Sequence, residues 1–240
     1  MLLLLSLGCA PEPHHTLRVL AASSLQEGFT ELGAQYQAQH PDTSLELVFA
    51  GSQTHAAQLR MGLRADLLAS ADTALLGALE QEGLAVDPRS FAQNQLVLAG
   101  PGPLTLRALP EAGRVVLGTP SSPIGGYTDQ LLSAAGDSYG PQWAAQMGAA
   151  VRSRESNTRL VLAKVAMGEA DAAVVYATDL QAAPQLVASP VPAQLAPAPT
   201  YAIAPVDPAG PSQSAQAFLA LLASPQGAQT LQRHGFTPTP

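Results

Sequence analysis

Apolar and polar positions change their spacing repeatedly along this chain, and each change marks a boundary between strand and helix. From Thr16 to Ala22 the residues are mostly apolar and unbroken, which predicts a short buried strand. After Ser23-Ser24 the spacing switches: Leu25, Phe29, Leu32 and Tyr36 fall at i, i+4, i+7 and i+11, one face of a helix. Ser24 and Glu27 have capping-box spacing, so Ser24 is expected to cap that helix by accepting the Glu27 N–H. Ser44 to Ala50 returns to strand, with Leu45, Leu47 and Phe49 alternating. Gly51-Ser52 then opens a second helix carrying Ala56, Leu59 and Leu63, and Ala65 to Asp72 is a third strand running into a loop. Strands and helices alternating through short turns predict a parallel sheet covered by helices.

The second half continues in the same manner. Asn94 to Gly100 and Val115 to Gly118 read as strands, the latter followed by "TPSSPIGGY" and a helix through Leu131 and Leu132. Gly136 to Pro141 reads as loop. Glu155 to Asp179 reads as loop, helix, a stop at Gly168, then a buried strand from Ala172 to Tyr176. A proline-rich stretch from Pro190 to Pro199 leads to a strand at Tyr201 to Ala204, and a last helix spans Ser212 to Leu222. No internal repeat stands out.

Composition narrows the partners. The 240 residues can form one large or two small domains, and 47% hydrophobic residues place the chain among globular proteins. The formal charge is −7 and Lys164 is the only lysine, so nucleic acid is excluded as a partner class and an anionic membrane is a poor one. An anionic ligand would gain nothing from the overall field and must be held by local donors.

The N-terminus points outside the cytoplasm. Met1 to Leu7 is apolar but too short to span a bilayer as a helix, and Gly8-Cys9 follows it. An apolar run ending in a small residue and a cysteine resembles a bacterial lipoprotein signal. On that reading residues 1–9 are the signal, Cys9 is lipidated, and residues 10–15, with His14 and His15, are a tether. The alternative is an ordinary secretory signal cut nearby. Either way the protein is expected to be exported, and its single cysteine allows no disulfide within the chain.

One arrangement recurs: a strand ends, small or hydroxyl residues follow, and a helix begins. It occurs at Ser23-Ser24, at Gly51-Ser52, at Ser156-Asn157-Thr158 and, with Pro123-Ile124-Gly125-Gly126, after the Val115 strand. In open α/β sheets ligands sit at the carboxyl ends of strands, where helix N-termini offer unpaired N–H groups and a positive dipole end. Together these features describe an anion site without formal positive charge. The same residues are also the ordinary N-caps of any helix, and the pattern alone leaves both readings open. Asp66, Asp72 and Asp179, at strand ends, read as turn and cap partners.

The blocks "LAASSLQEGF", "FAGSQTHAAQL", "ADLLASAD", "NQLVLAGP", "SNTRLVLAKVAMGEADAAVVYATD" and "QRHGFTP" resemble, in order, the molybdate-binding proteins of bacterial ABC transporters. The resemblance covers nearly all of the chain after Thr16. It implies an α/β, two-lobed periplasmic-binding-protein fold of type II, each lobe a mainly parallel sheet flanked by helices. Lobe one would comprise 16–95 plus 205–240 and lobe two 100–199, with crossover strands at 96–99 and 200–204. It further implies an oxyanion in the interlobe cleft, held by the hydroxyls of Ser24, Ser52 and Tyr176 and by the backbone N–H groups at Ile124 and Thr158. Ser23, where many relatives have alanine, is a possible addition. Ile124 replaces a residue that is frequently small. Molybdenum would enter only as the oxyanion, with no cofactor and no enzymatic activity. The implied partners are molybdate or tungstate and a cognate ABC permease, and the chain is expected to be a monomer.

The donor chemistry suits that ligand. Molybdate near neutral pH is a tetrahedral dianion that offers acceptors only. Serine and tyrosine hydroxyls and backbone N–H groups can all donate, and no carboxylate falls among the implied positions. Two other readings remain: a binding protein for sulfate or another small oxyanion, and an enzyme on the same fold. The enzyme reading lacks a nucleophile motif. His40, His55 and His234 are scattered, which leaves a zinc receptor little support, and His55, nearest the implied site, is expected to be exposed.

Overall fold

The computed structural model describes residues 15–207 and 210–239. The signal, the lipidation site at Cys9 and most of the tether therefore lie outside the described residues.

The first lobe begins with β1 (His15–Ala22), a 3₁₀ turn at Ser23–Leu25 and α1 (Gln26–Gln39). It continues through β2 (Thr43–Ala50), α2 (Ser52–Arg60), β3 (Leu67–Ser70), α3 (Thr73–Gln81) and β4 (Arg89–Gln93). The chain then enters the second lobe: β5 (Leu96–Gly100), β6 (Val115–Gly118), α4 (Pro123–Tyr139), α5 (Pro141–Ala150), β7 (Val151–Glu155), α6 (Thr158–Ala166), β8 (Ala172–Tyr176) and β9 (Val187–Pro190). It returns as β10 (Thr200–Pro205), α7 (Gln213–Ala223), α8 (Pro225–Arg233) and β11 (Thr237–Pro238).

The strands form two sheets of order β11-β4-β10-β3-β1-β2 and β7-β6-β8-β5-β9. Each contains a parallel three-strand unit, β2-β1-β3 in one and β7-β6-β8 in the other, with antiparallel strands added on one side. The strands expected to carry the crossovers do not cross. Strand β5 pairs only within the second sheet and β10 only within the first. The chain changes lobes instead at Asn94-Gln95 and in the proline-rich stretch between β9 and β10. The reason is physical: a strand hydrogen-bonded on both sides is committed to one sheet, so the change falls between strands, where the two linkers meet through the Asn94 N–H and the Pro199 carbonyl at 2.9 Å.

The helical face read from the sequence is the buried one. Leu25, Phe29, Leu32 and Tyr36 are all fully buried. The Phe29 ring lies 5.9 Å from both Phe91 and Phe218, joining α1 to β4 and α7. On the other face of the first sheet, Leu59, Leu76 and Leu79 of α2 and α3 cover Leu20 and Leu68. In the second lobe, Val161, Leu162 and Val165 of α6 cover Val116, Ala173 and Val175.

Several elements depart from expectation. Helix α2 ends at Arg60, so Leu63 lies beyond it in a partly exposed turn. The loop expected at 136–141 is largely helix: α4 runs on to Tyr139, and Gly140, at φ 96°, joins it to α5. Helix α5 buries Trp143, Met147 and Ala150, a helical spacing diluted by the alanines and glycine between them. Strand β7 lies at the sheet edge and carries Arg152, Arg154 and Glu155, so it lacks an apolar strand signature.

Candidate functional site

The carboxyl ends of the six parallel strands converge on one pocket between the lobes. Its lining is Ala22, Ser23 and Ser24 after β1, Gly51-Ser52 after β2 and Ala71 after β3. Across the cleft stand Ser122-Pro123-Ile124 after β6, Asn157-Thr158 after β7, and Tyr176 at the end of β8. Every position implied by the resemblance, Ser23 included, thus lies on this one pocket. The space left in its centre is about 10 Å³, the scale of a single water-sized sphere. That is far below the roughly 300–1,000 Å³ of pockets for organic ligands.

The helix starts are prepared in a common way. Ser122 Oγ caps α4 by accepting the Gly125 N–H (3.2 Å), and Asn157 Oδ1 caps α6 by accepting the Leu160 N–H (3.1 Å). Each cap takes the third N–H of its helix and leaves the earlier ones without an intrahelical acceptor. In α4 the first position is Pro123, which has no N–H, so Ile124 is the donor that remains. In α6 it is Thr158, backed by Arg159. The Thr158 hydroxyl is not available to a ligand, because it donates to Asp179 Oδ2 at 2.6 Å.

The hydroxyls are polarised by their neighbours. Ser52 Oγ accepts the Ala71 N–H at 3.2 Å, which leaves its one hydrogen to donate. Ser24 does not form the expected capping box. It sits inside the 3₁₀ turn, no side chain caps α1, and Ser24 Oγ instead meets Tyr201 Oη at 2.8 Å. Glu27, the other half of the expected box, faces the opposite lobe and pairs with Arg159. The 3₁₀ turn inserted after β1 rotates Ser24 away from the helix start, which spacing along the sequence does not reveal. Tyr176 Oη is fully buried and has no hydrogen-bond partner among the described residues. Burial pushes its phenol well above the usual tyrosine value, so it stays a donor.

The charged groups near the pocket are already matched. Arg159 Nε lies 3.2 Å from Asp179 Oδ1, and the same guanidinium reaches Glu27 across the cleft. Asp179 also accepts the Tyr176 N–H at 3.1 Å, the turn-partner role expected of it. Asp66 accepts the Arg18 N–H at 2.8 Å, and Asp72 caps α3 through the Ala74 N–H at 2.8 Å. His55 is fully buried rather than exposed. Its Nε2 lies 3.1 Å from the Ala21 carbonyl, and desolvation lowers its pKa. A neutral ring donating to that carbonyl ties α2 to the end of β1 just ahead of the serines. The sequence reading also missed Asn94 and Tyr201, which meet behind Ser24. Asn94 lies in the linker ahead of β5 and Tyr201 near the start of β10, and neither has a motif to mark it.

Burial raises Asp179 from the usual 3.8 to about 6, against the lowering effect of Arg159 and of its hydrogen bonds. A raised carboxyl pKa penalises the charged folded form. The penalty is absent below the unfolded value, grows as pH rises from about 4 to about 6, and reaches roughly 3 kcal/mol above that window. Urea unfolding at several pH values should therefore show the wild type losing stability relative to Asp179→Asn across that range. Equal slopes for the two proteins would contradict it.

The fold and pocket define a two-lobed binding protein whose cleft is built from hydrogen-bond donors. A family profile described as bacterial extracellular solute-binding protein matches residues 17–237. The chain belongs to that family and has the periplasmic-binding-protein fold. It is 34% identical over 226 residues to the molybdate-binding protein ModA of Mycobacterium tuberculosis, a match covering 91% of this chain and 83% of that protein. Its structure resembles the periplasmic molybdate-binding protein of Azotobacter vinelandii with a TM-score of 0.79 at 19% identity, covering 93% of this chain and 99% of that one. It also resembles the sulfate-binding protein SubI of Mycobacterium tuberculosis with a TM-score of 0.75 at 17% identity, covering 94% and 88% respectively. At these identities the structural likenesses speak for the fold alone. No helix among the described residues is long and apolar enough to cross a membrane.

Proposed function

We propose that this chain is an exported solute-binding protein that captures molybdate or tungstate in the cleft and delivers it to an ABC permease. The observation that carries this reading is the Tyr176 hydroxyl, buried at the pocket without a hydrogen-bond partner among the described residues, beside Ser24 and beside Ser52, whose oxygen already accepts the Ala71 N–H. A buried donor without an acceptor costs about 1–3 kcal/mol, and a ligand made only of acceptors removes that cost. In this reading Ser24, Ser52 and Tyr176 donate through hydroxyls and Ile124 and Thr158 through backbone N–H groups, with Ser23 as a further candidate. The 34% identical relative named for molybdate binding supports the choice of ligand. Anchoring through a lipid on Cys9, a monomeric state and the absence of catalysis belong to the same proposal.

The small pocket and the Ile124 side chain in its wall favour a second reading, in which the ligand is a smaller oxyanion such as sulfate. Isothermal titration of ligand-free protein decides between them. Heat with molybdate and tungstate, retained in excess sulfate, is the expected result. Heat with sulfate and none with molybdate or tungstate establishes the second reading instead. Elemental analysis of the protein as purified provides an independent check for bound molybdenum or tungsten.

A further inference from the structure

Lobe one grips the start of α6 on both sides of Thr158. Ahead of Thr158, the side-chain amide of Gln53 donates to the Ser156 carbonyl. Gln53 directly follows Ser52, so this contact is made beside one of the implied ligand donors. Gly51 meets the same carbonyl through its backbone. A Cβ at position 51 would lie 2.8 Å from the Ser156 oxygen, and 2.7 Å and 2.8 Å from the two polar atoms of the Gln53 amide. Close approach is what calls for glycine here, since φ at Gly51 is an ordinary −65°. Beyond Thr158, the Arg159 guanidinium pairs with Glu27 in the first turn of α1, three residues after Ser24. Within its own lobe Arg159 is anchored by buried Asp179, which lies 3.2 Å from its Nε. Asp179 in turn accepts the Thr158 hydroxyl at 2.6 Å and the Tyr176 N–H at 3.1 Å.

We propose that Gly51, Gln53 and Glu27 are positioning residues that latch the start of α6 against lobe one and so set how long a captured anion stays. The inference deepens the oxyanion reading of the site and rests on it. Each contact joins one lobe to the other, so each is made only while the lobes are together. The latched segment carries the Thr158 N–H, and through Asp179 it is tied to Tyr176. The grip therefore acts on two of the implied donors at once. Escape of the anion requires the lobes to part and breaks all three contacts. Capture begins from parted lobes and meets none of them, so the latch bears on release rather than on encounter.

The sign of the Glu27 effect separates a latch from plain electrostatics. A carboxylate close to a dianion repels it, and removing Glu27 would also leave the Arg159 guanidinium to attract it. On charge alone, Glu27→Gln binds the anion more tightly. As part of a latch, Glu27→Gln binds it less tightly, through faster release. The Glu27 and Arg159 side chains are 31% and 17% exposed, so the bridge has the modest worth of a solvated pair. Gly51→Ala attacks the neighbouring contact by bulk and alters no charge. The Gln53 side chain can swing away from the new methyl group. The Ser156 carbonyl is backbone and cannot, so the lobes must stop short of their full approach.

The full chain and the variants Glu27→Gln and Gly51→Ala are checked for folding by thermal unfolding and stripped of anion. Release is timed by chasing labelled molybdate with an excess of unlabelled molybdate, and the Kd from titration converts it to an association rate. Small-angle X-ray scattering gives the radius of gyration with and without ligand. Glu27→Gln should release molybdate about two- to fivefold faster than the wild type, with its association rate unchanged. Gly51→Ala should release it at least about tenfold faster, and its saturated form should stay more extended than the saturated wild type. Release from Glu27→Gln no faster than from the wild type overturns the proposal, as does a Gly51→Ala variant that closes and releases as the wild type does. A wild type that takes sulfate and not molybdate sinks the molybdate reading; faster release of sulfate from both variants then supports the latch, and equal release overturns it. A wild type that binds no oxyanion sinks the reading of the site. In that case a ligand-free wild type more compact than both variants supports the latch, and equal radii overturn it.

Discussion

Tyr176→Phe should weaken molybdate binding by about 10- to 150-fold while leaving the ligand-free protein as stable as the wild type or more so. The two halves of this expectation have one cause. The hydroxyl is buried and without a hydrogen-bond partner among the described residues, so in the empty site it carries a desolvation cost of about 1–3 kcal/mol. Phenylalanine keeps the ring against Tyr201 (centroids 5.9 Å apart) and removes that cost. With ligand bound, the same hydroxyl donates to a dianion, worth about 1.5–3 kcal/mol, and the variant forgoes it. Titration gives the first quantity and thermal unfolding of stripped protein the second. A residue that merely fills the core would lose little affinity, and a hydroxyl with a structural partner would lose stability. Opposite signs in the two measurements distinguish a binding donor from both.

Gly125→Ala should unfold or distort the start of α4 and cost at least about tenfold in affinity, whereas Gly126→Ala should be harmless. A Cβ at position 125 would lie 1.8 Å from the Thr119 carbonyl oxygen and 2.5 Å from its carbon. Both are backbone atoms, so no rotamer change relieves the clash and the helix start must move. Overpacking of this kind costs typically 1–3 kcal/mol and sometimes more. The displaced turn carries the Ile124 N–H and the Ser122 cap, whose acceptor bond is to the Gly125 N–H itself. A Cβ at position 126 meets nothing within 4 Å, and alanine is a better helix residue than glycine by about 0.5–1 kcal/mol. Unfolding midpoints and molybdate affinities of the two variants test this directly. Similar behaviour in both would show that close approach at position 125 does not hold the turn in place.

Much of the architecture can be read from the chain because it is written in short-range patterns. The face Leu25, Phe29, Leu32 and Tyr36 is buried as its spacing requires, and β8 is the unbroken apolar run Ala172–Tyr176. Elements were missed where that signal is diluted. Helix α8 buries Gly227, Thr230 and Leu231, a face too polar to register, and β7 is an edge strand with charged residues. The strands at 96–99 and 200–204 are legible, but not which sheet each joins, because pairing partners lie far apart in sequence, Ala202 and Ser70 by well over a hundred residues.

The candidate site divides along the same line. The order of strand end, small hydroxyl residue and helix start belongs to the sequence alone, because N–H groups are left unpaired at any helix start whatever packs around it. From that order, and from the resemblance built on it, came the positions Ser24, Ser52, Ile124, Thr158 and Tyr176. Only the tertiary structure decides which way each hydroxyl points. Ser24 faces Tyr201 rather than its own helix, Thr158 donates its hydroxyl hydrogen to Asp179, and Tyr176 Oη has no partner among the described residues. A hydroxyl can donate or accept, and the choice is made by the group opposite it. Those groups come from other strands and, for Ser24, from 177 residues further along the chain.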